Sequence, residues 1–306
     1  MTWFGEKDES QSYEFEPERF MVPPTDGLLK RLFGARWGVI LLSAPDTVNL
    51  RPILDFLADF ALQLSFYSRI STFSGEFSEL ERDEIRIRTI DDILEEAKKS
   101  IPEPDEAPDP DDVIRQVPRN PEIIFIPDLN EKIVPSAIES AMSGKLVILG
   151  IRSEGSFPAL QLYRVLVGSD HLAAATLMGI IAFNTVARIC PECRVSIEYD
   201  LSDEDSILLG IETRKLKGFR GMGCQKCDNT GTRGQILIHE GFEVSENIRN
   251  KILENMPLRN LRLLAKREGM STLLDAAWTL SEAGETTLEE VMKIADLTDP
   301  GRASEI

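Results

Sequence analysis

All four cysteines of the chain fall into two pairs, Cys190-Pro-Glu-Cys193 and Cys224-Gln-Lys-Cys227, with about thirty residues between them. A two-residue spacer lets one tight turn aim two sulfurs at a single point. Two such pairs can close a tetrahedron of thiolates around one zinc ion. The long gap is no obstacle, because loop-closure entropy grows slowly with length. Gly218, Gly221, Gly223 and Gly231 supply turns around the ligands. The spacing points to a closed structural zinc site held by Cys190, Cys193, Cys224 and Cys227. A redox dithiol pair, or four unrelated cysteines, are the other readings of the same residues.

The formal charge of −18 at pH 7 sets the partners. So acidic a chain repels nucleic-acid phosphates, which argues against non-specific nucleic-acid binding. No apolar run approaches the ~20 residues that span a bilayer, so an integral membrane protein is not expected. Residues 1–8 lack the basic start and apolar core of a signal peptide, and a cytoplasmic location is expected. That compartment is reducing, which favours metal over disulfide for paired cysteines.

With 42% hydrophobic residues in 306, the chain can bury a real core. Apolar runs at 37–42, 122–126 and 145–149 read as buried strands. Helical patterns surround Leu28, Leu29, Leu32 and Phe33, and cover 52–67 and 133–143. Strand, helix and buried strand in alternation argue for a parallel sheet in an α/β fold. One long helix is expected over 159–189, leading into the first cysteine pair. Further helices follow over 245–254, 258–267, 271–284 and 288–295, with Ser245, Ser271 or Thr272, and Thr286 or Thr287 as cap candidates. The expected organisation is a flexible acidic arm over 1–27, an α/β core over 28–189, a zinc module over 190–240 and a helical region over 241–306. A Pro-rich, acidic stretch at 100–112 is expected to be a mobile loop within the core region.

Several motifs, in one order, resemble a known family. They are Arg188-Ile-Cys-Pro-Glu-Cys193, Gly221-Met-Gly-Cys-Gln-Lys-Cys-Asp-Asn-Thr-Gly-Thr-Arg-Gly234, Ile238-His-Glu240, Lys266-Arg-Glu-Gly-Met270 and Gly284-Glu-Thr-Thr-Leu-Glu-Glu-Val291. Together they resemble the C-terminal part of the type II secretion and type IV pilus assembly ATPases, the GspE/PulE family. Weaker similarity runs back to about Leu28. The resemblance implies a RecA-like P-loop NTPase core with a tetracysteine zinc module and a C-terminal helical region. It implies a hexameric motor that uses ATP and magnesium. It does not extend to the separate N-terminal domain such motors carry.

The nucleotide elements depart from the family. Ile40-Leu-Leu-Ser-Ala-Pro45 matches the strand and the start of the phosphate loop. A working loop needs glycines, so that backbone N–H groups wrap the phosphates, then a lysine and a hydroxyl for phosphate and magnesium. Here the loop reads Asp46-Thr-Val-Asn-Leu-Arg51. The glycines are absent, Leu50 stands at the lysine position and Arg51 at the hydroxyl position. Asp46 brings negative charge where phosphates would sit. Val48, being β-branched, resists the positive φ angles of a phosphate nest, and Asn49 completes the degenerate loop. Asp128 stands where the family's Walker B strand carries a glutamate. Gly144-Lys-Leu-Val147 and Arg152 lack the family's two histidines, and no Glu-Asp-Pro occurs near 72–76. His171 and His239 lie outside these motifs and are expected to be structural or solvated.

Against the family pattern, phosphate binding, magnesium coordination and water activation are thus all expected to be compromised. The expected function is that of a pseudo-ATPase without catalytic residues. It would be a binding, structural or regulatory subunit of a secretion or pilus-like machine, carrying zinc but not Mg-ATP. Expected partners are an active ATPase paralog, an inner-membrane platform protein or further copies of the chain, in a homo- or hetero-oligomer peripheral to the inner membrane. Two alternatives stand beside it. One is a divergent ATPase using Arg51 and Asp128; the other is a sensor of a different ligand in the former nucleotide cleft.

Overall fold

Strand β1 (Gly38–Ala44) is buried at every position, as its unbroken apolar run requires. The computed structural model describes residues 13, 15–35, 37–63, 70–72, 123–126, 129, 131–212 and 215–298. Helices α1 (Pro17–Phe20) and α2 (Thr25–Gly34) precede β1, and α3 (Arg51–Gln63) follows it. Next come β2 (Ile70–Thr72), β3 (Ile123–Ile126), α4 (Val134–Met142), β4 (Leu146–Arg152), α5 (Ser156–Val167), α6 (Asp170–Thr176) and β5 (Leu177–Ile189). Strands β6 (Arg194–Asp200) and β7 (Lys215–Gly221) form a separate antiparallel ribbon, with α7 (Asp203–Leu209) between them. The chain then returns through β8 (Thr232–Glu243) to α8 (Glu246–Leu253), α9 (Leu258–Arg267), α10 (Leu273–Glu282) and α11 (Leu288–Thr298).

Six strands form one sheet in the order β2-β3-β4-β1-β5-β8. All neighbours are parallel except β5 and β8. The period-2 alternation of β1 feeds two cores. Val39 and Leu41 join α4, α5, α6, α8 and α9 on one face; Ile40, Leu42 and Ala44 join α2 and α3 on the other. Helices α10 and α11 cover a third cluster around Val186, Ile236 and Ile238. The result is helices on both faces of a mostly parallel sheet.

The single helix expected over 159–189 is corrected to two helices and a strand. Gly168, at φ 68°, turns left-handed and closes α5, and Ser169 caps α6 through the Leu172 N–H. Beyond Thr176, the β-branched residues Ile180, Ile181, Thr185, Val186 and Ile189 favour extended backbone, and β5 fills the sheet between β1 and β8. Gly179 is required there, since a Cβ would stand 2.8 Å from the Phe242 carbonyl oxygen.

Within the region 190–240, β8 pairs with β5 from Gly179–Glu243 to Ile189–Thr232, which attaches it to the sheet. From Phe15 onward the expected arm packs on the core, with Phe20 buried against Phe56, Phe183 and His239 at ring distances of 5.7, 5.6 and 4.8 Å. The acidic stretch 100–112 lies outside the described residues.

Glu240 ties the sheet to the helices. It is 1% exposed and accepts from the Ser156 N–H at 2.8 Å, the Ser156 hydroxyl at 2.6 Å and the Leu273 N–H at 3.1 Å. Those amides open α5 and α10, so one carboxylate satisfies orphan donors of two helices and meets both positive dipole ends. Glu240→Ala strands these donors in the core. The expected loss is about 3 kcal/mol or more, read as a lower urea midpoint, with Glu240→Gln milder.

His239, next to it on β8, bonds Thr25 Oγ1 through Nε2 at 2.7 Å and packs against Phe20 and Phe183. Burial pushes its pKa down to about 4. The unfolded chain takes up this proton below pH ~6.5 while the folded chain does not. The stabilisation is therefore full above that pH and drains as pH falls toward 4. Urea midpoints measured between pH 7 and 4 should drop less steeply in His239→Gln than in the unsubstituted chain.

Candidate functional site

The backbone brings the two cysteine pairs together at one end of the β6–β7 ribbon, where Arg194 pairs with Gly221. Cys190 ends β5, and its N–H donates to the Gly231 carbonyl at 3.0 Å. Cys193 leads into β6, and its carbonyl accepts the Met222 N–H beyond β7 at 3.0 Å. The second pair sits on a single turn of 3₁₀ helix, Gln225–Cys227, followed by Asp228 and Asn229 in the left-handed region. Gly221 and Gly231 touch backbone to backbone, and a Cβ on Gly221 would fall 1.9 Å from the Gly231 oxygen. No other residue fits there.

All four sulfurs lie within 4.8 Å of one another. Cys190 and Cys224 are 3.9 Å apart, Cys193 and Cys227 3.9 Å, and Cys224 and Cys227 3.8 Å. A tetrahedron with zinc–sulfur bonds of ~2.3 Å has edges of ~3.8 Å, so the cluster has the dimensions of a four-thiolate zinc site. It is far too open for disulfides, whose sulfurs sit ~2.05 Å apart. Cys190 and Cys227 are buried. Desolvation opposes ionisation of Cys227, but the Cys224 and Gly231 N–H groups, each 3.3 Å from its sulfur, outweigh it and hold the pKa at about 6. The four cysteines can hold a metal ion.

The turn after β1 is built differently from a phosphate cradle. Val48 donates its N–H to the Pro45 carbonyl at 3.1 Å, closing a tight turn. Val48 and Leu50 point inward, 3% and 1% exposed, and join the core beneath α3. Asp46 projects outward and forms an ion pair with Arg152. The two meet because β1 and β4 place Ala44 beside Arg152. Asn49 lends its carbonyl oxygen to the hydroxyl of Tyr13. Arg51 opens α3, and its side chain lies outside the described residues, as do Asp128 and residues 73–76. His171 is an exposed residue of α6, away from this turn in the fold. Tyr13 and the Asp46–Arg152 pair carry no local sequence signal, since each depends on the sheet being assembled.

Comparison with known proteins fits this architecture. The family model described as "Type II/IV secretion system protein" matches residues 72–293. The type IV pilus assembly ATPase PilB of Thermus thermophilus is 29% identical over 178 residues, 57% of this chain and 20% of that protein. The type IV pilus assembly ATPase TfpB of Acinetobacter baylyi is 27% identical over 75% of this chain and 40% of its own length. The type II secretion system protein E of Dickeya dadantii is 24% identical over 73% of this chain and 45% of its own. The chain thus spans less than half the length of these curated relatives. In fold it resembles the pilus retraction motor PilT, solved with bound ADP, at a TM-score of 0.59 and 16% identity over 92% of this chain and 67% of that one. On the extent of the family match, which covers more than half of the chain, the chain belongs to the type II/IV secretion system protein family, the family of the secretion and pilus ATPases.

Proposed function

We propose that this chain is a non-hydrolysing member of its family, holding one structural zinc ion and binding no nucleotide at the turn after β1. It serves a secretion or pilus-like machine as a binding or regulatory subunit. The observation that carries this reading is Leu50. By resemblance it holds the position of the phosphate-binding lysine, and it is buried at 1% exposure in the core. A phosphate anchor has to reach out of its loop, whereas Leu50 fills the space under it. Val48 is anchored in the same way, and Asp46, at the start of the turn, is paired with Arg152.

Zinc at Cys190, Cys193, Cys224 and Cys227 would have four thiolates and no open position, which suits cross-linking rather than catalysis. The sulfur spacing supports this choice. The partners proposed are an active ATPase paralog, a membrane platform protein or further copies of the chain. Among the described residues no helix is long and apolar enough to cross a membrane, which suits a peripheral role.

Isothermal titration with Mg-ATP should give no binding heat. Micromolar binding abolished by Arg51→Ala would instead establish a divergent ATPase, and a melting shift with another nucleotide alone would favour a sensor. Metal analysis of protein purified without chelator should find one zinc per chain. A clearly lower content contradicts the metal assignment.

A further inference from the structure

The N-terminal segment touches the turn after β1 and residues beside the tetracysteine cluster. Tyr13 donates its hydroxyl to the Asn49 carbonyl in the turn after β1 and bridges Gln235 on β8. Phe15 sits edge-on to Phe56 of α3 at 5.4 Å, and Phe20 meets the same ring at 5.7 Å. Glu16 accepts from Arg188 at 2.7 Å and from Arg19 at 2.5 Å, and Arg19 reaches Glu285 at 2.7 Å. Arg188 and Glu285 belong to the cysteine side. Arg188 stands two residues before Cys190, and the Glu285 carbonyl accepts the Ile189 N–H at 2.8 Å. Arg194, just after Cys193, donates to the Gly284 carbonyl at 3.2 Å. Contacts and short chain links therefore connect Arg188 and Ile189, beside the first cysteine pair, through Glu16 and Arg19 to Phe56 of α3, and Tyr13 reaches the turn at 45–50.

We propose that Tyr13 and Phe15–Phe20 form a strap that couples the tetracysteine centre to the turn after β1, so that metal loss loosens the turn. The inference rests on the zinc reading above. Each ion pair is partly exposed, with side chains 31–38% accessible, and is weak alone. They share partners, however. Removing the Glu16 carboxylate breaks the contacts to both Arg188 and Arg19 and leaves Arg19 with Glu285 alone. Without metal, the Cys190 turn keeps only its backbone bonds, such as Cys190 N–H to the Gly231 carbonyl at 3.0 Å, and the frame that aligns Arg188 and Glu285 is weakened. A physical path of this kind earns the term coupling only if perturbations at its two ends are non-additive.

Hydrogen exchange of the full chain, followed over peptides covering 46–57, tests this. In zinc-loaded protein, Glu16→Ala should speed exchange there about threefold to tenfold. Chelation should speed it by a similar factor in the unsubstituted chain, and by less than about twofold more in Glu16→Ala. Exchange in α9 should stay unchanged throughout, which separates strap release from general unfolding. Equal acceleration by chelator in both proteins, or none in the unsubstituted chain, overturns the coupling. Zinc content measured on the same samples judges the metal reading separately. If no zinc is present, Cys190→Ser replaces chelation as the perturbation, and the same exchange pattern decides.

Discussion

Seven consecutive residues of β1 are buried between two helical layers, and everything at the strand's C-terminal end inherits that constraint. A turn leaving such a strand can do one of two things. It can open, presenting backbone N–H groups and a cation to a ligand, or it can fold its side chains back into the core. Val48 and Leu50 take the second course, each worth roughly 1.5–3 kcal/mol of burial. The two courses exclude each other at Leu50, because one side chain cannot both fill the core and anchor a phosphate. The Asp46–Arg152 pair adds little stability, with Asp46 67% exposed, but it offsets the charge of the carboxylate and gives it a fixed partner.

The far half of the sheet is built to the opposite standard of care. Four sulfurs stand at tetrahedral separations, flanked by glycine contacts too close for any side chain. Glu240 holds the starts of α5 and α10 with three hydrogen bonds. His239 locks α2 through Thr25. These are interactions that keep β8 and the C-terminal helices registered on the parallel core. On the proposed function, the chain retains the parts that hold shape and has converted the phosphate loop into one of them.

Much of the fold is legible in the sequence, and the failures have physical causes. Strands β1, β3 and β4 are short apolar runs flanked by turn residues, so their existence is plain. The cysteine tetrad is plain because two pairs with two-residue spacers are a common metal-ligand pattern. The caps at Ser245 and Thr272 are readable from local chemistry, and both accept the amide three residues on. Strand β5 is read wrongly as helix because a long apolar stretch has no period that separates buried helix from buried strand; Gly168 and the β-branched residues after Thr176 hold the answer. The Asp46–Arg152 pair spans 106 residues, and the ties of Glu16 to Arg188 and Arg19 to Glu285 span 172 and 266. Contacts at such separations exist only once the strand order is set, and no local pattern announces them. The burial of Leu50 lies between these cases. The sequence displays the missing lysine, but not that its replacement is part of the core.

The most direct measurement is made on Leu50→Lys, combining thermal unfolding with Mg-ATP titration. Restoring the lysine forces an ammonium into an apolar site, which is costly without a partner. A clearly lower melting temperature and still no nucleotide binding are expected of a turn whose side chains belong to the core. An unchanged melting temperature together with acquired Mg-ATP binding would contradict this, because the turn would then be an open phosphate loop lacking only its cation.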